Sequence, residues 1–262
     1  MKVTQPQLED ICRVAQLAGR EVMDVYRQDF AVWEKADSSP LTLADTRSDA
    51  VIREQLTQAF PGIHIWSEES SSGDAAQPAT FFLVDPLDGT REFLKRNDEF
   101  TVNIALVHQG KPIAGVVLAP ASGELFFAAR GRGAWAQVGG ERTTLRGERT
   151  DAAAALRVMG SRSHGGAAVD AWLAKLDGPY EFVAAGSSLK FCRLAQGRAD
   201  IYPRLGPTSQ WDTAAAQAVL EQAGGAVLDP QGCALRYGLD LPVLNPHFVA
   251  LRDPAIRYPP LI

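Results

Sequence analysis

The chain has 262 residues, of which 46% are hydrophobic and 22% are charged, a composition typical of globular proteins. This length suits one large domain or two closely packed halves, and no apolar run approaches the roughly 20 residues that a membrane span requires. A net charge of −5 and a pI near 5.4 argue against non-specific nucleic-acid binding, which requires a basic surface.

The N-terminal stretch and the cysteines indicate the compartment. MKVTQPQLEDICRVAQ lacks the apolar segment of a secretory signal. Cys12, Cys192 and Cys233 are far apart, odd in number and contain no C-x-x-C pair. They predict neither a disulfide framework nor a zinc finger, and we expect a reduced, cytoplasmic protein.

The first part of the chain predicts two helices followed by strands. Apolar residues at helical spacing predict a helix over residues 5–28, and a second helix runs from about Thr42 to Phe60, where Pro61-Gly62 ends it. Buried strands are predicted next. They are Ile63–Trp66, Phe81–Val84, a hairpin of Phe100–His108 and Pro112–Ala119, and Glu124–Ala129.

Strand and helix signals alternate in the second part. Residues 139–153 are polar and small, and we place there the boundary between an N-terminal α+β half, 1–150, and a C-terminal α/β half, 151–262. The pattern predicts a layered α/β (α+β) fold. The predicted strands are Leu156–Met159, Glu181–Ala184, Ala199–Tyr202, Val227-Leu228 and Phe248–Leu251, and the helices are Val169–Leu176, Ser188–Gln196 and Thr213–Gln222.

Acidic residues stand at the ends of predicted elements. In Asp85-Pro86-Leu87-Asp88, Pro86 favours a turn that would aim both carboxylates and the Leu87 carbonyl at one point beyond a buried strand. Two carboxylates that close repel each other, and a divalent cation removes that cost. Oxygen ligands of this kind suit Mg²⁺. The other acidic positions are Glu68-Glu69, Asp45 and Asp212.

Each acidic position also has a purely structural interpretation. Asp85 and Asp88 can cap a turn, since Asp-Gly is a common turn dipeptide, and a Glu-Glu pair after a strand is often a solvated loop. Asp45 stands at capping-box spacing from Thr42, and Asp212 directly precedes an apolar helix. What favours a shared site is that all four positions lie where the ligands of α/β folds collect.

Gly89-Thr90 adds an anion-binding turn. If a helical turn begins there, its free N–H groups favour a phosphate oxygen, and the Thr90 hydroxyl can orient or deprotonate a water molecule. Carboxylates beside such a turn imply a metal-bridged phosphate, in which two metals about 4 Å apart activate water and stabilise the leaving oxygen.

These residues resemble those of a known family. Glu68-Glu69, Asp85-Pro86-Leu87-Asp88-Gly89-Thr90, and Trp211-Asp212 followed by Ala214–Ala216 and Gly224-Gly225 are similar, in order, to the motifs of the lithium-sensitive, magnesium-dependent phosphatases. That superfamily includes inositol monophosphatase and fructose-1,6-bisphosphatase, and the resemblance spans nearly the whole chain. It implies a layered αβαβα fold of the sugar-phosphatase type.

Further runs resemble the branch of bacterial 3'(2'),5'-bisphosphate nucleotidases. Of these, the runs from Gly186 to Cys192 and from Tyr202 to Thr208 separate the branch from inositol monophosphatases. Arg91 is a departure, since relatives often carry lysine there. The matching runs are Lys35-Ala36-Asp37 with Ser39-Pro40, Thr90–Phe93, Phe100–Leu106, Ser161-Arg162-Ser163-His164, Gly186–Cys192, Tyr202-Pro203-Arg204 and Gly206-Pro207-Thr208.

The resemblance implies a reaction and a set of roles. It implies Mg²⁺-dependent, lithium-sensitive hydrolysis of 3'-phosphoadenosine 5'-phosphate, a toxic product of sulfate assimilation, to AMP and phosphate, and of 3'-phosphoadenylyl sulfate as a second substrate. Two or three Mg²⁺ ions would bind. Implied metal ligands are Glu68, Asp85, the Leu87 carbonyl, Asp88 and Asp212, and implied catalytic residues are Asp45, Thr90 and Glu68.

The resemblance also implies contacts to the nucleotide. Lys190 can meet the phosphate that is not on the metals, although lysine on a helix face is usually solvated. His164 is also typical of a surface-loop histidine, and Arg204 can equally pair with an acid. The implied substrate-binding residues are Asp88, Gly89, Thr90, Ser161, His164, Ser187, Ser188, Lys190, Arg204 and Asp212.

Three hypotheses follow for the function. The first is the nucleotidase, with a small-molecule nucleotide bisphosphate as its partner and a monomer or homodimer as its assembly. The second is an inositol or sugar monophosphatase with the same metals and a different pocket. The third is a non-catalytic module that senses the nucleotide. Some relatives are described as peripheral to the inner membrane, but the sequence contains neither an anchor nor a basic amphipathic helix.

Overall fold

The structure is a computed structural model that describes residues 1–28, 32–34, 40–70, 78–148, 155–161 and 166–261. The chain begins with helix α1, Gln5–Tyr26, which Thr4 starts through a capping box with Gln7. Two short strands, β1 at Val32–Glu34 and β2 at Pro40–Thr42, pair antiparallel and lead into α2, Leu43–Ala59. Within the described residues, no helix is long and apolar enough to cross a membrane.

The first large sheet has seven strands in sequential order. β3 and β4 are parallel, and each later pair is antiparallel, so the sheet is mostly a meander. The short helix α3, Thr90–Leu94, follows β4. The strands are β3 His64–Ser67, β4 Thr80–Asp88, β5 Thr101–His108, β6 Lys111–Ala119, β7 Glu124–Ala129, β8 Gly133–Val138 and β9 Glu141–Leu145.

The second sheet has five strands in the order β11-β10-β12-β14-β13. Its central β10 pairs in parallel with β11 and β12, and β14 pairs antiparallel with β12 and β13. The strands are β10 Leu156–Ser161, β11 Tyr180–Ala185, β12 Ile201–Arg204, β13 Ala226–Leu228 and β14 Phe248–Leu251. The helices of this part are α4 Ala167–Leu173, α5 Leu189–Ala195 and α6 Gln210–Gln222.

Three apolar cores hold five layers together. One core lies between α1 and α2 and the first sheet, a second lies between the two sheets around α5 and α6, and a third lies between the second sheet and α4. The order helix, sheet, helix, sheet, helix confirms the predicted αβαβα fold.

Helix α6 sits unusually close to the first sheet. A Cβ placed on Gly115 of β6 would lie 2.2 Å from the backbone carbonyl of Ala215, so only glycine allows this approach. The alanines at 214–216 keep the facing side of α6 small. This contact brings the N-terminus of α6 next to the end of β4.

Several short strands were not predicted from the sequence. β8 and β9 extend the first sheet, and β9 at Glu141–Leu145 lies inside the stretch 139–153 that we expected to be a connection. Its first four residues are exposed because β9 is an edge strand, so the polar pattern that suggested a loop is instead that of an uncovered sheet edge. The division into halves at residue 150 remains a prediction.

Candidate active site

An irregularity in β4 creates the centre of the site. Asp85 pairs with Asn103 and Asp88 with Thr101, so two residues of β4 bulge out opposite a single residue of β5. The Ser48 hydroxyl of α2 donates to the Pro86 carbonyl at 2.8 Å and ties the bulge to the helix beneath it. The predicted turn is therefore a β-bulge, and it projects both carboxylates from one strand end.

Strand alternation explains why Asp85 meets α6. Phe81 and Leu83 belong to the core between the sheets, so Asp85, two residues further along β4, faces the same layer. Asp212 stands in the first turn of α6 in that layer. Trp66 at the end of β3 packs edge-on against Trp211 with ring centroids 5.8 Å apart, which fixes the start of α6 beside β3 and β4.

Asp88 is held from the other side by the start of α5. One of its oxygens, Oδ2, accepts hydrogen bonds from the Ser187 hydroxyl at 2.5 Å and from the Ser188 backbone N–H at 2.8 Å. Ser187 has a φ of 52°, which is rare for residues other than glycine and signals a backbone conformation that its surroundings enforce. The two serines therefore fix the orientation of this carboxylate.

The two carboxylate oxygens of Asp45 have different partners, one at the start of α2 and one in the site. Its Oδ2 accepts bonds from the Thr42 backbone N–H and hydroxyl, both at 2.7 Å, and thus forms the predicted capping box of α2. Its Oδ1 lies 3.4 Å from the Thr90 hydroxyl, which is also 3.3 Å from the Leu87 carbonyl. Because the two oxygens act separately, the capping interpretation and the catalytic one are compatible.

Three aspartates share a pattern that fits a hard cation. A backbone N–H fixes one oxygen in each: Leu87 binds Asp85 Oδ1 at 3.0 Å, Ser188 binds Asp88 Oδ2 at 2.8 Å, and Ser209 binds Asp212 Oδ2 at 2.9 Å. No described residue donates a hydrogen bond to the second oxygen of any of them. Oriented carboxylates with an open oxygen are suitable ligands for Mg²⁺.

The electrostatics of these aspartates also call for a cation. Burial, together with the charges of Glu68, Asp88 and Asp212, raises the pKa of Asp85 well above its usual range. Burial and the charge of Asp88 do the same to the pKa of Asp212. A bound divalent ion would offset both the burial and the repulsion.

The donors do not form a closed cage. Of the residues that the structure describes, no three Asp, Glu, His or Cys side chains converge tightly enough to hold a metal by themselves. This arrangement suits Mg²⁺, which usually retains several waters and combines one or two carboxylates with phosphate oxygens of the substrate. Glu68, the remaining predicted carboxylate ligand, starts a short 3₁₀ helix directly after β3 and is partly buried.

A cavity of about 260 Å³ opens beside Asp88 and Asp212. Gly89 and Thr90 form its wall next to the bulge, and Gly89 has the left-handed φ of 90° that the start of α3 requires. Asp45, Glu68, Asp85 and Leu87 lie outside this wall. The cavity is lined by Asp88, Gly89, Thr90, Arg91, Glu92, Ser187, Lys190, Phe191, Tyr202, Arg204, Pro207, Thr208, Asp212, Thr213 and Phe248.

Lys190 and Arg204 bring positive charge to this cavity. Lys190 is only 5% exposed, so the interpretation as a solvated helix lysine is wrong. Its amino group donates to the Ser187 carbonyl at 2.6 Å, and burial lowers its pKa to about 8. Arg204 donates to the carbonyls of Gly206 and Pro207, which orients its guanidinium without an acidic hydrogen-bond partner among the described residues.

Two of the other predicted contacts, Ser188 and Ser161, are not among the residues that line this cavity. Ser188 is 1% exposed and does not line the cavity. Ser161 ends β10, and His164 lies outside the described residues.

Several neutral residues of the site were not predicted from the sequence. Thr101 and Asn103 on β5 approach Asp88 Oδ2 at 3.4 Å each, and the Ser67 hydroxyl donates to Asp49 at 2.5 Å just before Glu68. Asn103 interrupts the apolar run between Val102 and Val107 of β5 and is 1% exposed. A buried polar residue in such a strand is a local conflict that often marks a functional position, and this signal was available in the sequence.

Comparison with known proteins agrees with this geometry. Two curated bacterial proteins named 3'(2'),5'-bisphosphate nucleotidase CysQ are similar over 245 residues: that of Shigella flexneri is 45% identical and that of Escherichia coli K12 is 44% identical. Each alignment covers 92% of this chain and 98% of the relative.

Solved structures show the same fold. CysQ from Bacteroides thetaiotaomicron superposes with a TM-score of 0.82 at 35% identity and covers 94% of this chain and 97% of its own. An inositol monophosphatase from Anabaena superposes with a TM-score of 0.75 at 25% identity and covers 98% of each chain. Residues 5–255 match the inositol monophosphatase family. The bulge, the acidic strand and helix ends and these similarities lead to one conclusion: the chain belongs to the inositol monophosphatase family.

Proposed function

We propose that this protein is a Mg²⁺-dependent phosphatase that hydrolyses the 3'-phosphate of 3'-phosphoadenosine 5'-phosphate to AMP and phosphate. The observation that carries the proposal is the cavity in which Asp88 and Asp212 face Lys190 and Arg204. A bisphosphate has one phosphate for the acidic side, through metal, and a second for the cations. The relatives named as bisphosphate nucleotidases support this choice of substrate.

The carboxylates would hold the metal. Glu68, Asp85 and the Leu87 carbonyl would bind one ion, and Asp88 and Asp212 another beside the leaving oxygen. When bound, Mg²⁺ supplies a Lewis acid that lowers the pKa of water and neutralises charge on the phosphate. We place two or three ions there, as the family resemblance implies.

Thr90 and Asp45 would handle the proton of the attacking water. The Thr90 hydroxyl stands 3.4 Å from Asp45 Oδ1, so a proton received by the threonine oxygen has a carboxylate acceptor nearby. The second oxygen of Asp45 stays fixed by Thr42, which keeps the acceptor in place. The water oxygen would bond to phosphorus as the bond from phosphorus to the 3'-oxygen breaks. The 3'-oxygen would take a proton from solvent and the proton on Asp45 would return to solvent, so that phosphate and AMP result.

Lys190 and Arg204 would select the bisphosphate. Lys190 is anchored on the Ser187 carbonyl, and Tyr202 lies under its amino group with the ring centroid 5.4 Å away. An ammonium fixed in this way meets a phosphate without losing much side-chain freedom. Inositol 1-phosphate carries no second phosphate for this group.

The test compares substrates at one Mg²⁺ concentration. Phosphate release from 3'-phosphoadenosine 5'-phosphate and from inositol 1-phosphate is measured as kcat/KM, and chromatography identifies AMP or adenosine 3'-phosphate as the product. We expect preference for the nucleotide, AMP as the product, and inhibition when Li⁺ is titrated at fixed Mg²⁺. A wide preference for inositol 1-phosphate would instead identify an inositol monophosphatase, and no turnover of any phosphomonoester would indicate a nucleotide-sensing module.

A further inference from the structure

Ser188 connects parts of the site that are distant in sequence. Its hydroxyl donates to the backbone carbonyl of Asp212 at 2.6 Å, and its backbone N–H donates to Asp88 Oδ2 at 2.8 Å. One residue at the start of α5 therefore touches the end of β4 and the first turn of α6. Since Asp88 and Asp212 face the same cavity, the position of Ser188 sets the distance between them.

Asn103 determines the direction of the Ser188 hydroxyl. Its side-chain Nδ2 donates to Ser188 Oγ at 3.0 Å and so occupies the acceptor side of that oxygen. A serine hydroxyl has a single proton to give. The carbonyl of Asp212 at 2.6 Å receives that proton in preference to Asp88 Oδ2, which is 3.1 Å away.

Asn103 carries an energetic cost to the fold. Its Oδ1 is the only buried side-chain polar atom without a hydrogen-bond partner among the side chains that the structure describes. An unpaired buried acceptor destabilises the folded state, and an apolar residue of similar shape on β5 would avoid it. A cost of this kind is expected where the remaining donor has a functional task.

We propose that Ser188, oriented by Asn103, is a positioning residue that sets the spacing of Asp88 and Asp212. It acts on the cation site through these two aspartates and makes no contact with substrate, in contrast to the role that the resemblance implied for it. Its 1% exposure and its absence from the cavity wall agree with this. The inference rests on the proposed function, because it takes the two aspartates as metal ligands.

The test uses the Ser188→Ala variant and titrates Mg²⁺ into nucleotide-free protein while the melting temperature is followed. Residues that orient metal ligands typically change metal affinity or activity about 10- to 100-fold, so we expect the half-saturating Mg²⁺ concentration to rise by about that factor. In assays at saturating Mg²⁺ we expect kcat to fall and the KM for the nucleotide to stay within about twofold, since uniform substrate binding is not lost.

Two further variants keep the test decisive. Asn103→Val removes the donor to Ser188, the longer contact of the same amide to Asp88 Oδ2 at 3.4 Å, and the unpaired oxygen. We therefore expect weaker Mg²⁺ binding with a melting temperature within a few degrees of wild type. Thr80→Val is the matched control, because it removes a hydroxyl bonded to His108 at the opposite end of β4. Thr80 lies about 26 Å along the strand from Asp88, and we expect its Mg²⁺ titration to be unchanged.

The outcomes separate the inference from the proposed function. A raised KM with unchanged Mg²⁺ titration in Ser188→Ala would make Ser188 a substrate contact and overturn the inference. Unchanged titrations in both Ser188→Ala and Asn103→Val would also overturn it, as would a wild-type protein without any Mg²⁺ response. A Mg²⁺-responsive protein that releases no phosphate from the nucleotide would overturn the proposed substrate, and the titrations would still decide the role of Ser188.

Discussion

Two buried aspartates of this protein show opposite electrostatics. Asp85 is 1% exposed and Asp200 is 6% exposed. Burial would raise the pKa of Asp200, but hydrogen bonds from Arg157 and Arg252 lower it below its usual range. At Asp85 burial acts together with the charges of other carboxylates, and the pKa rises.

The difference lies in the counter-ions of the two carboxylates. Asp200 accepts bonds from Arg157 Nε at 3.0 Å and from Arg252 Nε at 2.9 Å, so the chain supplies its own counter-ions. Asp85 accepts one backbone hydrogen bond from Leu87, and its charged neighbours are acidic. A buried carboxylate without a basic partner in the chain needs a cation from outside to balance its charge. This is the physical reason to expect a metal ion beside Asp85.

The largest effect is expected at Asp88. Asp88→Asn removes a site charge without breaking an ion pair, so we expect kcat to fall on the order of 10² to 10³-fold while the melting temperature stays close to wild type. Phosphate release and thermal unfolding measure the two quantities. Asp253→Asn, at a turn where Asp253 accepts a bond from the Ala255 N–H, is the control with unchanged turnover. Near-normal turnover of Asp88→Asn would remove Asp88 from the site.

At Asp200 we expect a substitution to reduce stability and to leave turnover unchanged. Asp200→Asn leaves two guanidinium groups without their acid, of which Arg252 is only 3% exposed. We expect the free energy of unfolding to fall by about 3 kcal/mol, because breaking a buried pair leaves an uncompensated charge. At a temperature where the variant is folded, kcat should remain near wild type. Urea unfolding and phosphate release test this, and a loss of kcat with unchanged stability would contradict the comparison.

A pH dependence of Mg²⁺ stabilisation is expected next. A folded-state pKa raised above the unfolded value stabilises the fold at low pH, and this contribution is lost as pH rises through the raised pKa. Metal-free protein should therefore lose stability as Asp85 and Asp212 ionise above the usual aspartate pKa of 3.8. Mg²⁺ binds the ionised form, so the gain in melting temperature should grow from pH 5 to pH 8.

Melting curves with and without Mg²⁺ at each pH provide the measurement. Saturation at about 100 times the Kd adds roughly 2.7 kcal/mol, which is several degrees for a chain of this size. Asp85→Asn serves as the control, because it removes one of the ionising groups and should flatten the curve. An equal gain from Mg²⁺ at pH 5 and pH 8 would contradict the account.

The smallest effect concerns Lys190. Burial lowers its pKa to about 8, so the group is charged below that pH and neutral above it. We expect kcat/KM for 3'-phosphoadenosine 5'-phosphate to fall several-fold above pH 8 as the charge is lost. Adenosine 3'-phosphate lacks the second phosphate and should show no such decrease. Lys190→Met should abolish the difference between the substrates, and an equal decrease for both would refute the assignment.

The sequence predicted the layers and the acidic positions because both depend on local patterns. Periodicity identifies the core face of α1, an apolar run identifies β4, and capping spacing places Asp45 in the first turn of α2. None of these patterns needs tertiary information. The expectation that Asp212 directly precedes its helix is wrong by one turn, because Ser209 is the N-cap of α6 and Asp212 is its third residue.

Contacts that depend on strand pairing could not be predicted from the sequence. Asp200 meets Arg252 because Ile201 pairs with Leu251 across β12 and β14, and no local signal reports that register. The resemblance implied a substrate contact for Ser188. Its hydrogen bonds to Asp88 and Asp212 depend on how α5 docks against β4 and α6, which no local pattern reports. The resemblance indicated a functional position at Ser188, and the structure identifies its hydrogen-bond partners.

The two capping boxes have a consequence for how this chain can vary in length. Asp45 and Asp212 each use one oxygen to accept a hydrogen bond from the residue three positions upstream, Thr42 or Ser209, where the helix begins. One residue inserted inside either capping box would rotate the rest of that helix by about 100° about its axis relative to the N-cap residue. Insertions should therefore be excluded at these two helix starts, even where substitutions between the box residues are tolerated.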